Sequence, residues 1–365
     1  MIYFNCLNMK LTPFFCSNIN IVKVLAELGS GIDAVSAGKV YRAIQGGIRP
    51  EDIVFAGVGK TKDEMRYALE NGVEEFSVES IPEMIALNEV ALDLGKKAKF
   101  SLRVNPDIDA KTHDKISTGR KEDKFGVNIN HAKEIYDRAA KLKGLEIYGI
   151  STHIGSQITD IKPFKDAFTK LRELFIELKK DYDLKSLDFG GGVGISYDNE
   201  KLINLDDYAK LIKDLTHDLN VKITIAPGRS IIGDAAILVT EVIYIKETDH
   251  KKFAIIDAAM NDLMRPGLYD AYHQIIQVRK KEENEETYEV VGPVCESTDI
   301  LGKKRIFQNL QAGDLLAICN AGAYGASLSN EYNSRPLIPE ILINDNQSEL
   351  IRKRPDFQDM IELER

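Results

Sequence analysis

Three short clusters carry residues suited to chemistry. The run 152–157 (Thr-His-Ile-Gly-Ser-Gln) offers the flat ring of His153 and the hydroxyl of Ser156; the glycine triplet 190–192 offers backbone N–H groups bare of side chains; and the run 227–230 (Pro-Gly-Arg-Ser) offers the cationic fork of Arg229. Glycine lacks the side chain that would keep an anion at a distance, so Gly191 and Gly192 near a hydroxyl and a guanidinium make a phosphate the expected guest. Taken singly, each cluster has a plainer reading: a tight turn for the glycines, a structural histidine, a surface ion pair for Arg229. The triplet does not fit a dinucleotide fingerprint, because no Gly-x-Gly-x-x-Gly opens a helix after the first strand. Further along, the run 261–269 holds Arg265 and Tyr269, the run 292–297 holds Cys295 and Glu296, and the run 320–325 holds Tyr324. With Arg229 these supply two positive forks, one carboxylate, one thiol and two phenols, a set suited to a ligand bearing both carboxylates and amines.

The elements that position these residues follow from periodicity. From Asn18 onward, short β-branched or apolar runs alternate with amphipathic segments, as βα units around a parallel sheet do. Strands are expected at Ile32–Val35, Ile53–Ala56, Glu75–Val78, Phe100–Val104, Ile147–His153, Ser186–Phe189 and Val221–Ile225. Helices are expected at Asn20–Leu28, Ala37–Gln45, Lys62–Glu70, Ile81–Leu94, Ala132–Lys143, Ile161–Lys180 and Leu205–Leu219, so that a helix comes first with no strand ahead of it. All three clusters fall at strand ends, and in a (β/α)8 barrel such ends share one catalytic rim. The expected fold is therefore α/β, a TIM-type barrel with its first strand missing or altered. After about Ile237 the pattern turns to strands without long helices, at Ile237–Ile245, Phe253–Ile256, Thr287–Val291, Leu315–Ile318 and Ile341–Ile343. The charged stretch Arg279–Glu286 reads as a solvated hairpin or loop. The division is an atypical segment at 1–16, a barrel at 17–236 and a C-terminal β domain at 237–365.

Composition excludes several classes. The chain has 365 residues, 44% hydrophobic and 29% charged, enough to bury two cores and typical of a soluble globular protein. With 48 basic and 57 acidic side chains the net charge is −9, and no basic run exists to follow a nucleic-acid backbone. No apolar run is long enough to span a membrane. The four cysteines, Cys6, Cys16, Cys295 and Cys319, are too few and scattered for a disulfide framework or a zinc site, so no metal is expected and reduced thiols in a cytoplasmic protein are the default. Residues 1–16 are apolar and aromatic, but lack a basic leading region and a small-residue cleavage site, so export is not expected.

In combination the motifs resemble the diaminopimelate decarboxylases, pyridoxal-phosphate enzymes of the alanine-racemase-like group with a barrel and a β domain. The resemblance runs from about Ser17 to the C-terminus and rests on Asp-Ala-Val-Ser-Ala-Gly at 33–38, His-Ile-Gly-Ser-Gln at 153–157, the glycine triplet, Pro-Gly-Arg-Ser, Arg-Pro-Gly-Leu-Tyr at 265–269, Cys-Glu-Ser at 295–297 and Gly-Ala-Tyr at 322–324, in family order. It implies that pyridoxal 5'-phosphate is the cofactor, with His153 stacked on its ring, Ser156, Gly191 and Gly192 around its phosphate, and Ala226, Pro227, Gly228, Arg229 and Tyr324 also in contact with it. Arg229, Arg265, Tyr269, Glu296 and Tyr324 would hold the substrate, and Cys295 would return a proton to the carbon that loses CO2. Cys295 and Glu296 would reach across a homodimer into the partner's barrel, so the active sites would be shared. The implied reaction converts meso-2,6-diaminopimelate to L-lysine, the last step of lysine biosynthesis. A diamino diacid must be gripped at its unreactive end, where a carboxylate wants Arg265 and an ammonium wants Glu296.

The sequence departs from the family pattern at two places. The cofactor lysine belongs to a motif of the form Tyr-Ala-x-Lys-Ala-Asn-Ser-Asn; Ser17 and Asn18 match its last two residues, and the lysine position falls on Phe14, with Lys10 four residues too early. Ala226 stands where a glutamate usually partners the pyridine nitrogen. The expected explanation of the first departure is a truncated or frame-shifted start, which leaves the second unexplained. The alternatives are a non-catalytic homologue acting as a binding or regulatory subunit, and a related decarboxylase of another basic amino acid. The chain as it stands is expected to bind the cofactor weakly and without a covalent bond to a lysine.

Overall fold

The computed structural model describes residues 17–110, 118–119, 123–281 and 284–365, with the backbone of 9–11. Two compact units result: one runs through Ile195 and resumes over Lys201–Ser230, the other takes Ser196–Glu200 and Ile231–Arg365.

The first unit is a parallel sheet wrapped by helices. Its strands are β1 (Met9–Leu11), β2 (Ile32–Ala34), β3 (Ile53–Phe55), β4 (Glu75–Val78), β5 (Ala98–Asn105), β6 (Val127–Asn128), β7 (Leu145–Ser151), β8 (Ser186–Asp188) and β9 (Lys222–Ile225). They follow the order β1-β9-β8-β7-β5-β4-β3-β2, with the two-residue β6 beside β5, and every pairing is parallel. Such a sheet is covered on both faces, which is why β3 and β4 are buried at every residue. Phe55, Phe76 and Phe100 enter the large apolar core that also takes in Leu87, Phe168 and Ile212 from the helices. The other face of the sheet is polar. Glu75 sits there 5% exposed, accepting from Ser101 Oγ at 3.0 Å and paired with Lys222 at 2.9 Å, while Ser77 and Ser151 join hydroxyls at 2.9 Å.

The helices start where local chemistry starts them. Ser36 caps the helix Ala37–Gln45, Thr61 and Glu64 form a reciprocal capping box on Lys62–Glu70, Ser80 caps Ile81–Asp93, and the Asn204 side chain takes two N–H groups of Leu205–Thr216.

One expectation needs correction. A strand, β1, does precede the first helix: Met9–Leu11 pairs in parallel with β9, setting Lys10 opposite Thr224. Three residues are too short to show a period of two, so the pattern was invisible beside the aromatic residues around it. Phe14 lies outside the described residues.

The second unit holds a six-stranded mixed sheet and a separate hairpin. In chain order its strands are β10 (Leu238–Glu247), β11 (Lys252–Ile256), β12 (Ile275–Gln277), β13 (Glu285–Val291), β14 (Ile300–Gln308) and β15 (Leu315–Ile318), arranged β12-β15-β10-β11-β13-β14, followed by the hairpin β16 (Glu340–Asn344) and β17 (Gln347–Arg352). Along β10, Leu238, Thr240 and Val242 are buried and Val239 and Glu241 exposed, the alternation of a half-covered antiparallel strand. The expected charged loop at Arg279–Glu286 is strand at its last two residues.

Candidate active site

In the barrel unit the three sequence clusters are laced together by hydrogen bonds. After β7, Gly191 N–H donates to His153 Nδ1 at 3.1 Å, Ile158 N–H to the Gly192 carbonyl at 2.9 Å, and Gly194 N–H to the Ile158 carbonyl at 2.9 Å. The Gln157 side chain, on a residue with φ of 61°, completes the lacing by donating to the Ile195 carbonyl at 2.6 Å and accepting its N–H at 3.2 Å. After β9, Ala226 N–H donates to the Gly190 carbonyl at 2.8 Å. The glycines are obligatory: a Cβ on Gly191 would lie 1.9 Å from the Ala226 carbonyl oxygen, and one on Gly192, whose φ is +120°, would lie 2.5 Å from that of Gly155.

Arg229 follows on the same side. It is 6% exposed, and its Nη2 donates to Ser156 Oγ at 3.1 Å. A buried guanidinium, a hydroxyl and a glycine turn form the donor set that binds phosphate. His153 is a flat, neutral neighbour. Burial, helped by the Arg103 charge, pushes its pKa from 6.5 down to about 3, and the N–H it accepts at Nδ1 leaves its hydrogen on Nε2. The residues present therefore fit the phosphate-bearing end of pyridoxal phosphate. They do not supply the carboxylate expected at the ring-nitrogen end, since Ala226 offers only a methyl group.

Sequence reasoning gave no role to the acids of the barrel interior. Burial raises Asp33 to about 6 and Asp188 to about 7; Asp188 also accepts the Gly190 N–H at 2.8 Å, and the Asp33 Oδ1 atom is buried without a hydrogen-bond partner. Two further buried pairs close the same region: Lys60 with Glu83 at 2.6 Å, and Arg103 with Glu79 at 2.9 Å. Asp33 opens one of the quoted motifs, whereas Asp188 has no signal beyond its place before the glycine triplet.

The second unit carries the remaining candidates in two groups. Arg265, 6% exposed, opens the short helix Arg265–Tyr269; its Nη1 meets His273 Nε2 at 2.7 Å, and its Cζ lies 4.4 Å from the centre of the Tyr197 ring. Neither His273 nor Tyr197 was singled out from sequence. Cys295 and Glu296 lie on an exposed loop, 293–298, in which only Val294 is buried. Its base is held by Asp299, which accepts the N–H groups of Val294 at 2.8 Å and Met260 at 2.7 Å. Asn333 takes the Cys295 N–H at 3.2 Å, and the charge of Glu296 pushes the Tyr332 hydroxyl pKa up. Tyr324 sits in the left-handed region with φ of 58°. The structure thus joins His153, Ser156, Gly191, Gly192, Ala226 and Arg229 in one unit, and places both Arg265 and the Cys295–Glu296 loop in the other. Among the described residues no group of His, Cys, Asp or Glu could hold a metal ion, and no helix is long and apolar enough to cross a membrane.

Comparison with known proteins agrees with this geometry. Residues 7–233 match the family described as pyridoxal-dependent decarboxylase, pyridoxal binding domain. The diaminopimelate decarboxylase of Aquifex aeolicus is 48% identical over 347 residues, covering 94% of this chain and 83% of that protein, and that of Zymomonas mobilis is 46% identical over 346 residues, covering 93% and 82%. The crystal structure of a point mutant of diaminopimelate decarboxylase from Helicobacter pylori, complexed with L-lysine, superposes with a TM-score of 0.95 at 41% identity, covering 100% of this chain and 92% of that one. The chain belongs to the diaminopimelate decarboxylase family of pyridoxal-dependent decarboxylases.

Proposed function

We propose that this chain carries the site for pyridoxal-phosphate-dependent decarboxylation of meso-2,6-diaminopimelate to L-lysine and CO2. When bound, the cofactor supplies the electron sink for loss of CO2. Everything else falls to the protein. Arg229, Ser156 and the turn of Gly191 and Gly192 hold the phosphate, with Pro227 and Gly228 shaping the backbone beside it and Tyr324 closing on the cofactor. His153 presents a neutral face to the ring. Arg265 grips the distal carboxylate, Glu296 the distal ammonium and Tyr269 the chain between them, while the Cys295 thiol delivers a proton to the carbon that has lost CO2. The observation that carries the reading is Arg265: a buried guanidinium held in one plane suits a carboxylate that simple diamine-forming substrates lack at their far end.

Exposure of the Cys295–Glu296 loop supports a homodimer in which each copy lends this loop to the other's barrel. The acidic charge and thiol-poor composition support a cytoplasmic enzyme with neither nucleic acid nor membrane as partner.

The test compares the chain as it stands with a variant in which Tyr-Ala-x-Lys-Ala-Asn replaces the matching residues, Phe14→Lys among them. Both are loaded with pyridoxal phosphate, reduced with borohydride and mapped by mass spectrometry. The expected result is a pyridoxyl adduct at position 14 of the variant only. An adduct on Lys10 in the unaltered chain would overturn the assignment of position 14.

A further inference from the structure

The partner that orients Arg265 is an imidazole. His273 is 0% exposed and both ring nitrogens are engaged, Nδ1 with the Cys319 carbonyl at 2.8 Å and Nε2 with Arg265 Nη1 at 2.7 Å. A carbonyl oxygen can only accept, so Nδ1 carries the hydrogen; a guanidinium N–H can only donate, so Nε2 carries the lone pair. The two contacts together select one neutral tautomer, because a doubly protonated ring would set N–H against N–H. Tyr197 fixes the remaining freedom: it covers the guanidinium face and meets the His273 ring edge-on, with centroids 5.2 Å apart. The scaffold holds the histidine in turn. Arg305 donates to the His273 carbonyl at 2.9 Å, and Cys319 N–H donates to Gln274 at 2.8 Å, continuing the β12–β15 pairing beside the ring.

We infer that His273 is a positioning residue for the substrate: with Tyr197 it locks the Arg265 fork in one plane without adding negative charge beside it. This rests on the role given to Arg265 in the proposed function. A carboxylate in the same place would hold the guanidinium as firmly, but would offset the charge that attracts the substrate's distal carboxylate. The neutral acceptor gives orientation and leaves the electrostatic attraction intact, which matters because bidentate recognition depends on the plane of the fork.

Two amide substitutions separate the contacts of the ring. In His273→Asn the amide reaches the Nδ1 position and can keep the bond to Cys319, while Arg265 loses its acceptor. In His273→Gln an amide oxygen reaches the Nε2 position and can accept from Arg265. Calorimetric titration of the full chain, loaded with pyridoxal phosphate, uses meso-diaminopimelate and, as the ligand without a distal carboxylate, 1,5-diaminopentane. His273→Asn is expected to bind the diacid about tenfold more weakly or worse, with 1,5-diaminopentane within about twofold of the parent and His273→Gln within about threefold for both ligands. Equal thermal midpoints for the two variants would place the difference at the site. Parent-like diacid binding by His273→Asn, or equal weakening of both ligands in both variants, overturns the inference. A parent chain that binds the diacid no better than its Arg265→Ala variant does instead sinks the role of Arg265, and this inference with it.

Discussion

Gly191→Ala probes the cradle with one methyl group. The added Cβ would lie 1.9 Å from the Ala226 carbonyl oxygen and 2.8 Å from its carbon, so the obstacle is backbone. Opening that contact to 3.0 Å, the least that real Cβ atoms show, moves the glycine turn or the Ala226–Pro227 segment by roughly 1 Å. Both carry the phosphate-binding groups, and hydrogen bonds of about 2.9 Å do not survive such a shift. Overpacking of this kind costs about 1–3 kcal/mol of stability. Loss of one or two charge-assisted hydrogen bonds weakens cofactor binding by about tenfold to a thousandfold. Gly59→Ala is the matched control, because a Cβ there meets nothing within 4 Å. Cofactor absorbance titrated against each variant gives the dissociation constant, and urea denaturation gives the stability. Parent-like affinity in Gly191→Ala would refute the assignment of this turn to the phosphate.

Three further outcomes follow from the same contacts. The unfolded chain protonates His153 near 6.5 and the folded chain resists until about 3, so this contribution to stability is complete above 6.5 and is lost as pH falls toward 3. The parent should therefore lose up to about 2 kcal/mol more than His153→Gln between about pH 7 and pH 5, and parallel losses in denaturant melts would contradict it. Glu83→Gln strands the Lys60 ammonium, whose side chain is 1% exposed, and should destabilise the barrel unit by about 3–5 kcal/mol; a loss below about 1 kcal/mol would show that the Gly57 and Ser77 carbonyls alone satisfy the lysine. The exposed Cys295 thiol should react quickly with a disulfide reagent in dilute protein and more slowly as concentration drives dimer formation, whereas a concentration-independent rate would contradict the shared-site dimer.

The parts of the fold legible in the sequence were those in which local chemistry and tertiary burial agree. Ala37–Gln45 and Lys62–Glu70 match their expected bounds because Ser36 and Thr61 cap them and amphipathic faces follow. Glu75–Val78 matches because Phe76 and Val78 alternate with Glu75 and Ser77, and Leu315–Ile318 because a compact apolar run fills it. The strand Ile300–Gln308 escaped notice because Lys303, Lys304 and Arg305 interrupt it, as charges do on an edge strand that must not pair further. The hairpin strand Gln347–Arg352 is mostly exposed and carries no burial pattern to read. At the site, clusters lying at strand ends could be foreseen as neighbours. Asp188 and His273 could not, because the importance of Asp188 arises from burial and that of His273 from burial and partners distant in sequence, Cys319 being 46 residues away.

CO2 release from meso-diaminopimelate measures the central claim most directly. The chain carrying the Tyr-Ala-x-Lys-Ala-Asn motif is assayed with pyridoxal phosphate, beside the unaltered chain and the same motif variant with Arg265→Ala. CO2 is expected from the diacid but not from L-lysine, far faster with the motif than without it, and that release is expected to be lost on Arg265→Ala. No CO2 from the motif variant, or equal release from the diacid and L-lysine, would contradict the central claim.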